Sequence, residues 1–118
     1  MSIQELTSRV FQARDIAHRA HWLASSYAKH IALNEFYDNV LDAVDELVEC
    51  YQGQFGLIDT FEVHTVPVVD VVKYLSDESD WIEAHRDKIA QGSAAIASLV
   101  DVLVSVYLRT IYKLENLA

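Results

Sequence analysis

The chain contains three glycines and one proline in 118 residues. Those two residue types end helices and shape strand turns, so their scarcity leaves long unbroken segments and favours helices over hairpin-linked strands. With 52% apolar residues, such segments have enough hydrophobic surface to build a core. Leu6, Val10, Phe11, Ile16, Ala17 and Ala20 recur at helical spacing, which predicts a first helix capped by Ser2 and running to about residue 22. A second pattern covers about 26–51 and stops at the run YQGQFG, where Gly53 and Gly56 supply a helix end. Residues 57–67 mix β-branched and polar side chains and read as an ordered connection. Pro67 fits the first turn of a third helix over about 66–90, where its missing N–H costs nothing. After a break at 91–93, Ser93 caps a fourth helix reaching residue 117. The expected fold is all-α: one antiparallel four-helix bundle over residues 1–118, with the longer connection between helices 2 and 3.

A net charge of −9 and a pI near 4.8, with no local Lys/Arg cluster, argue against direct nucleic-acid binding. The single Cys50 has no internal disulfide partner. Residues 2–15 are amphipathic and charged, unlike a signal peptide, so a cytoplasmic protein is expected. The apolar stretch 94–108 is too short for a membrane span and carries Asp101 at its middle, which predicts a core helix and no membrane association. Asp101 is expected in a buried contact with Arg109, His18 or a tyrosine hydroxyl.

Six acids lie between Glu35 and Glu49. At about 100° per residue, Asp38, Asp42, Asp45 and Glu49 fall within about 60° of one another and form an acidic stripe beside the apolar arc of helix 2. Asp45 stands at the edge of that arc, four residues before Glu49, with His30 upstream on the line of Leu41 and Val48. Two carboxylates and an imidazole suit iron, manganese or zinc. The same stripe is also what the solvated side of any amphipathic helix looks like.

The combination of His21-Trp22, His30 and Asp45-x-x-x-Glu49 resembles the Dps branch of the ferritin-like proteins. The likeness is greatest to small Dps-like proteins of bacteria and phages, through 21-HWLASSYAKHIALNEFYD-38, 49-ECYQGQFG-56 and 112-YKLENL-117. The resemblance implies a homodimer or larger homo-oligomer in which iron is bound and Fe(II) oxidised at a site shared between two subunits. It implies His21 and His30 from one chain and Asp45 and Glu49 from the other as ligands. Three features depart from the family pattern: Asn34 stands where a further carboxylate is usual, the stretch from His21 to His30 is three residues shorter, and the basic N-terminal tail is missing. These departures motivate an alternative, a non-catalytic helical interaction or ligand-sequestering protein that has kept the bundle without the iron chemistry.

On one continuous helix the nine residues from His21 to His30 turn through about 900° and leave the two rings on opposite faces. A break near residues 24–26, capped by Ser25 or Ser26, brings them together. His18 and His21 share a face in either case and form an alternative pair. Trp22, Tyr27, Tyr37 and Tyr51 read as core or interface aromatics. His85 reads as part of a solvated helix face, and Cys50 as a small buried residue rather than a nucleophile.

Overall fold

Each helix buries one stripe of apolar side chains, and the four stripes meet along a single axis. The computed structural model describes residues 2–68 and 70–118. It comprises α1 (Ser2–Trp22), α2 (Tyr27–Phe55), α3 (Val71–Ala90) and α4 (Ala94–Asn116), with no strand among the described residues. Leu6, Val10, Phe36, Leu47, Leu75, Ile82, Leu103 and Tyr107 are almost completely removed from solvent. Phe36 of α2 meets the edge of Tyr107 of α4 with ring centroids 5.0 Å apart. The Tyr107 hydroxyl has no hydrogen-bond partner among the described residues, and burial pushes it well above the usual phenol range.

The packing order is α1 beside α2, α2 beside α4, α4 beside α3 and α3 beside α1. Residues 56–70 form the connection from α2 to α3, and polar side chains of α1 hold it. Ser8 donates to the Glu62 carbonyl, Gln12 to that of His64 and Arg19 to that of Val66, while Phe11 packs on Phe61. The connection therefore climbs the length of α1. It delivers α3 to the end where α1 finishes, so that α3 runs back along α1 with Tyr74 bonded to Gln12 and Glu78 to Arg9. Every neighbouring pair is antiparallel, and the diagonal pairs α1/α4 and α2/α3 are parallel.

The helix boundaries follow their caps. Ser26 accepts from the Lys29 N–H and Ser93 from the Ile96 N–H. The expected cap at Ser2 lies outside the described side chains. Two boundaries differ from the expectation. The second helix continues through Gly53 to Phe55 and ends on Gly56, whose φ of 93° admits the chain reversal at no side-chain cost. The third helix begins at Val71 and not near residue 66, because the Asp70 carboxylate caps it by accepting from the Lys73 N–H. Pro67 lies in the connection, where a proline biases the residue before it to extended geometry.

Asp101 also differs. Its side chain is 56% exposed and pairs with Arg86, at 2.6 and 2.9 Å, which holds its carboxyl below the usual range. An acid in the middle of an apolar helix has thus been placed on the outer face rather than in the core. α4 as a whole is long and apolar enough to cross a membrane, contrary to the shorter stretch read from sequence, but one face of it packs into the bundle.

The inner polar contact belongs to α1 and α3. Glu78 is buried and bonded to Arg9 at 2.8 Å, and the Arg9 guanidinium lies 4.3 Å from the centre of the Trp81 ring. Burial pushes the Glu78 carboxyl above its ordinary range, against the pull of Arg9. A carboxyl raised in the folded state contributes favourably below its unfolded value, and that contribution is lost as pH rises through the folded value. Arg9→Met removes the opposing cation and enlarges the loss. Its stability deficit, read from urea denaturation, should widen as pH is raised from about 4 to about 7, and a deficit that does not change with pH would assign Arg9 to its Trp81 contact alone. Tyr107→Phe should leave the melting temperature unchanged or higher, because it removes a buried hydroxyl without a partner.

Candidate functional site

Where α1 gives way to α2, the chain turns at residues 23–26 and stacks five rings. His18, His21 and Trp22 come from the last turns of α1, and His30 and Tyr37 from the first turns of α2. The break capped by Ser26 brings His21 and His30 together as the spacing required: their ring centroids are 4.4 Å apart with planes inclined by 29°. His18 lies flat on Tyr37, at 4.1 Å and 9°, and 5.3 Å from His21. Trp22 borders both histidines of α1 but is 67% exposed, so it flanks the cluster and does not enter the core.

The hydrogen bonds fix which ring nitrogens are available. Nδ1 of His21 meets the His18 carbonyl and Nδ1 of His30 meets the His21 carbonyl at 2.7 Å. A carbonyl oxygen only accepts, so Nδ1 carries the proton in each ring. In the neutral ring, Nε2 keeps its lone pair, the arrangement in which a histidine commonly binds metal while its other nitrogen is tied to backbone. The two lone pairs do not converge, because the rings are stacked. Sharing one ion requires one ring to swing out of the stack.

The carboxylates lie elsewhere. Asp45 and Glu49 are exposed on α2, about 22 Å and 28 Å along the helix from His30 at 1.5 Å per residue, and neither has a cation partner among the described residues. Asp45 is fully on the outer side rather than at the edge of the buried face. Among the described residues, no group of three or more His, Cys, Asp or Glu side chains is placed to hold one ion. The chain brings together the two imidazoles and does not bring the acids to them.

Asn34 occupies the position one turn beyond His30. Its Oδ1 accepts from the Tyr37 hydroxyl at 2.6 Å, so the amide is part of the same small network. Tyr37, read from sequence as a packing aromatic, is therefore the residue that links the histidine stack to Asn34. Tyr51 is buried as expected, whereas Tyr27 is 79% exposed at the start of α2. His85 is not simply solvated, since its ring stacks on Trp81 at 3.9 Å and its Nδ1 meets the Trp81 carbonyl. Cys50 is half-buried against the core. A shallow cleft of about 570 Å³ between α1 and the connection, lined by Gln4, Ser8, Arg9, Gln12 and His64 among others, lies apart from the histidines.

The fold and this corner define a four-helix bundle with one long connection and an imidazole stack at the joint of its first two helices. The chain belongs to a family of unknown function, DUF5856, which matches residues 21–114 and so spans from His21, leaving out His18 of the stack, almost to the end of α4. Comparison with curated proteins and with solved structures returns no match.

The stack depends on the bend, and the bend on its cap. Ser26→Ala should cost about 1 kcal/mol in urea denaturation, and the loss should be accompanied by a change in the His21 and His30 ring resonances. An unaltered pair of resonances would mean that packing alone fixes the corner.

Proposed function

We propose that this is a ferritin-like metal-binding protein acting at least as a homodimer. In this reading His21 and His30 of one subunit and Asp45 and Glu49 of the partner subunit form an N₂O₂ ligand set, suited to iron and also to manganese or zinc. The observation that carries it is the pair of adjacent imidazoles whose Nδ1 atoms are both held by backbone carbonyls. The bundle with one long connection supports it, since ferritin-like folds have that connectivity.

The separation of the acids sets the geometry the dimer must have. A two-fold axis running beside α2 at the level between Tyr37 and Asp38 places Asp45 of the partner subunit at the level of His30, each about 11 Å along the helix from the axis. Leu41 and Val48, half-buried on that side of α2, supply apolar surface to the interface. In the stronger form of the proposal Fe(II) is the substrate, oxidised to Fe(III) with dioxygen as the electron acceptor. The chain's own residues then bind and orient the ion.

Asn34 favours a second reading. A neutral amide oxygen already engaged by Tyr37 is a poorer ligand than a carboxylate, which suits a helical protein that binds a partner or small ligand through the same face without iron chemistry.

Elemental analysis of untagged protein, followed by Fe(II) titration in air, separates the two. Near-stoichiometric metal per subunit, lost to background in both His30→Ala and Asp45→Ala while helical circular dichroism is retained, is the expected result. Metal content equal in wild type and both variants would remove the site and leave the interaction reading.

A further inference from the structure

Besides the cleft along α1, a second hollow opens at the pole where α1 and α4 end and α2 and α3 begin. It holds about 390 Å³ and takes its lining from all four helices and from the turn at residues 23–26. Ala20, Leu33 and Leu114, all buried core residues, form its floor. Val68, Val71 and Val72, half-buried, form a wall, and Leu23 stands exposed at the rim. The small side chains of Ala20 and Ala24 leave the space between these larger ones.

Two polar side chains complete the lining, Ser25 and Lys29. They come from the turn and from the first turn of α2, so both lie at one edge of the hollow. Lys29 is the only charged side chain among the described lining residues, and no carboxylate pairs with its ammonium among the described residues. Asp70, beside the valine wall in sequence, is not part of the lining and accepts from the Lys73 N–H as the cap of α3. An apolar interior with one cation and one hydroxyl at its edge is complementary to a molecule with an apolar body and a single negative head. One lysine and one hydroxyl satisfy a carboxylate, whereas a phosphate group calls for several converging donors, which this edge lacks.

We propose that this hollow binds a small carboxylic acid with an aliphatic tail, in its ionised form. The carboxylate accepts from the Lys29 ammonium and the Ser25 hydroxyl, and the tail lies over Ala20, Leu33 and Leu114 against the valine wall. Burying the tail there removes apolar surface of both ligand and protein from water. The hollow is near the lower end of the range for small-molecule sites, about 300–1,000 Å³, which suits a medium-chain acid better than a long-chain one. It shares no residue with the proposed metal ligands, so it does not rest on that reading and can coexist with it.

Calorimetric titration of the full chain with octanoate below its micelle threshold, with octanol and with acetate tests tail and head separately. Octanoate should bind saturably at one site per chain, octanol about tenfold more weakly for want of a charge-assisted bond, and acetate not detectably. Lys29→Met should bring octanoate down to the affinity of octanol and leave octanol unchanged. Val72→Trp, which fills the hollow from its wall, should abolish binding of both, with helical circular dichroism retained in each variant. The proposal is overturned by an absence of saturable octanoate binding to the wild type, by octanol binding as tightly as octanoate, or by an octanoate affinity that Lys29→Met leaves unchanged. Octanoate binding should persist in His30→Ala, whose metal content reads the other proposal independently.

Discussion

The path of the connection over residues 56–70 decides how the bundle is wired. Its backbone has no ladder of its own, so its carbonyls are satisfied by Ser8, Gln12 and Arg19, three side chains along one side of α1. That attachment carries the chain the full length of the molecule before α3 begins. Had the connection turned back at once, α3 would run the opposite way, and the Arg9–Glu78 and Gln12–Tyr74 contacts would not form. The polar residues of α1 thus do two things: one side accepts the connection, and Arg9 beside it anchors the helix that follows.

The corner between α1 and α2 shows how a local signal creates a site. Three residues fewer between His21 and His30 would, on a continuous helix, separate the rings. The Ser26 cap ends that continuity, and the two imidazoles then stack with both Nδ1 atoms on backbone carbonyls. Ligand-competent nitrogens and a compact aromatic stack are alternative uses of the same atoms. The stack holds in the single chain, and drawing the Nε2 atoms to one point needs groups from outside it.

Much of this was legible in the sequence because it is local. Helical spacing and the scarcity of glycine and proline point to four helices, Ser93 marks the start of the fourth, and the pair Ser25 and Ser26 marks the start of the second, where the cap is Ser26. Pro67 misled, since the rule that places proline in a first turn says nothing of a competing cap three residues later at Asp70. Asp101 reads as a buried contact because its neighbours are apolar, but α4 has apolar residues on its outer face as well, and only the packing of α2 and α3 tells inside from outside. The separation of Asp45 from His30 was implicit in their spacing along α2. Glu78 stands between Leu75 and Ile82 on the buried stripe of α3, and its role is not legible from sequence because its partner Arg9 is distant along the chain.

The wiring also governs the electric field at the two ends of the molecule. Each helix carries roughly half a positive charge at its start and half a negative charge at its finish. Because α2 and α3 begin at the end where α1 and α4 finish, each end of the bundle presents two partial charges of each sign in alternation around the axis. The backbone fields largely cancel, and the long-range potential is left to the side chains, among which acids outnumber bases two to one. The surface that an approaching ion feels is therefore set by where those carboxylates stand on the helix flanks, and the poles of the bundle contribute little to attracting it.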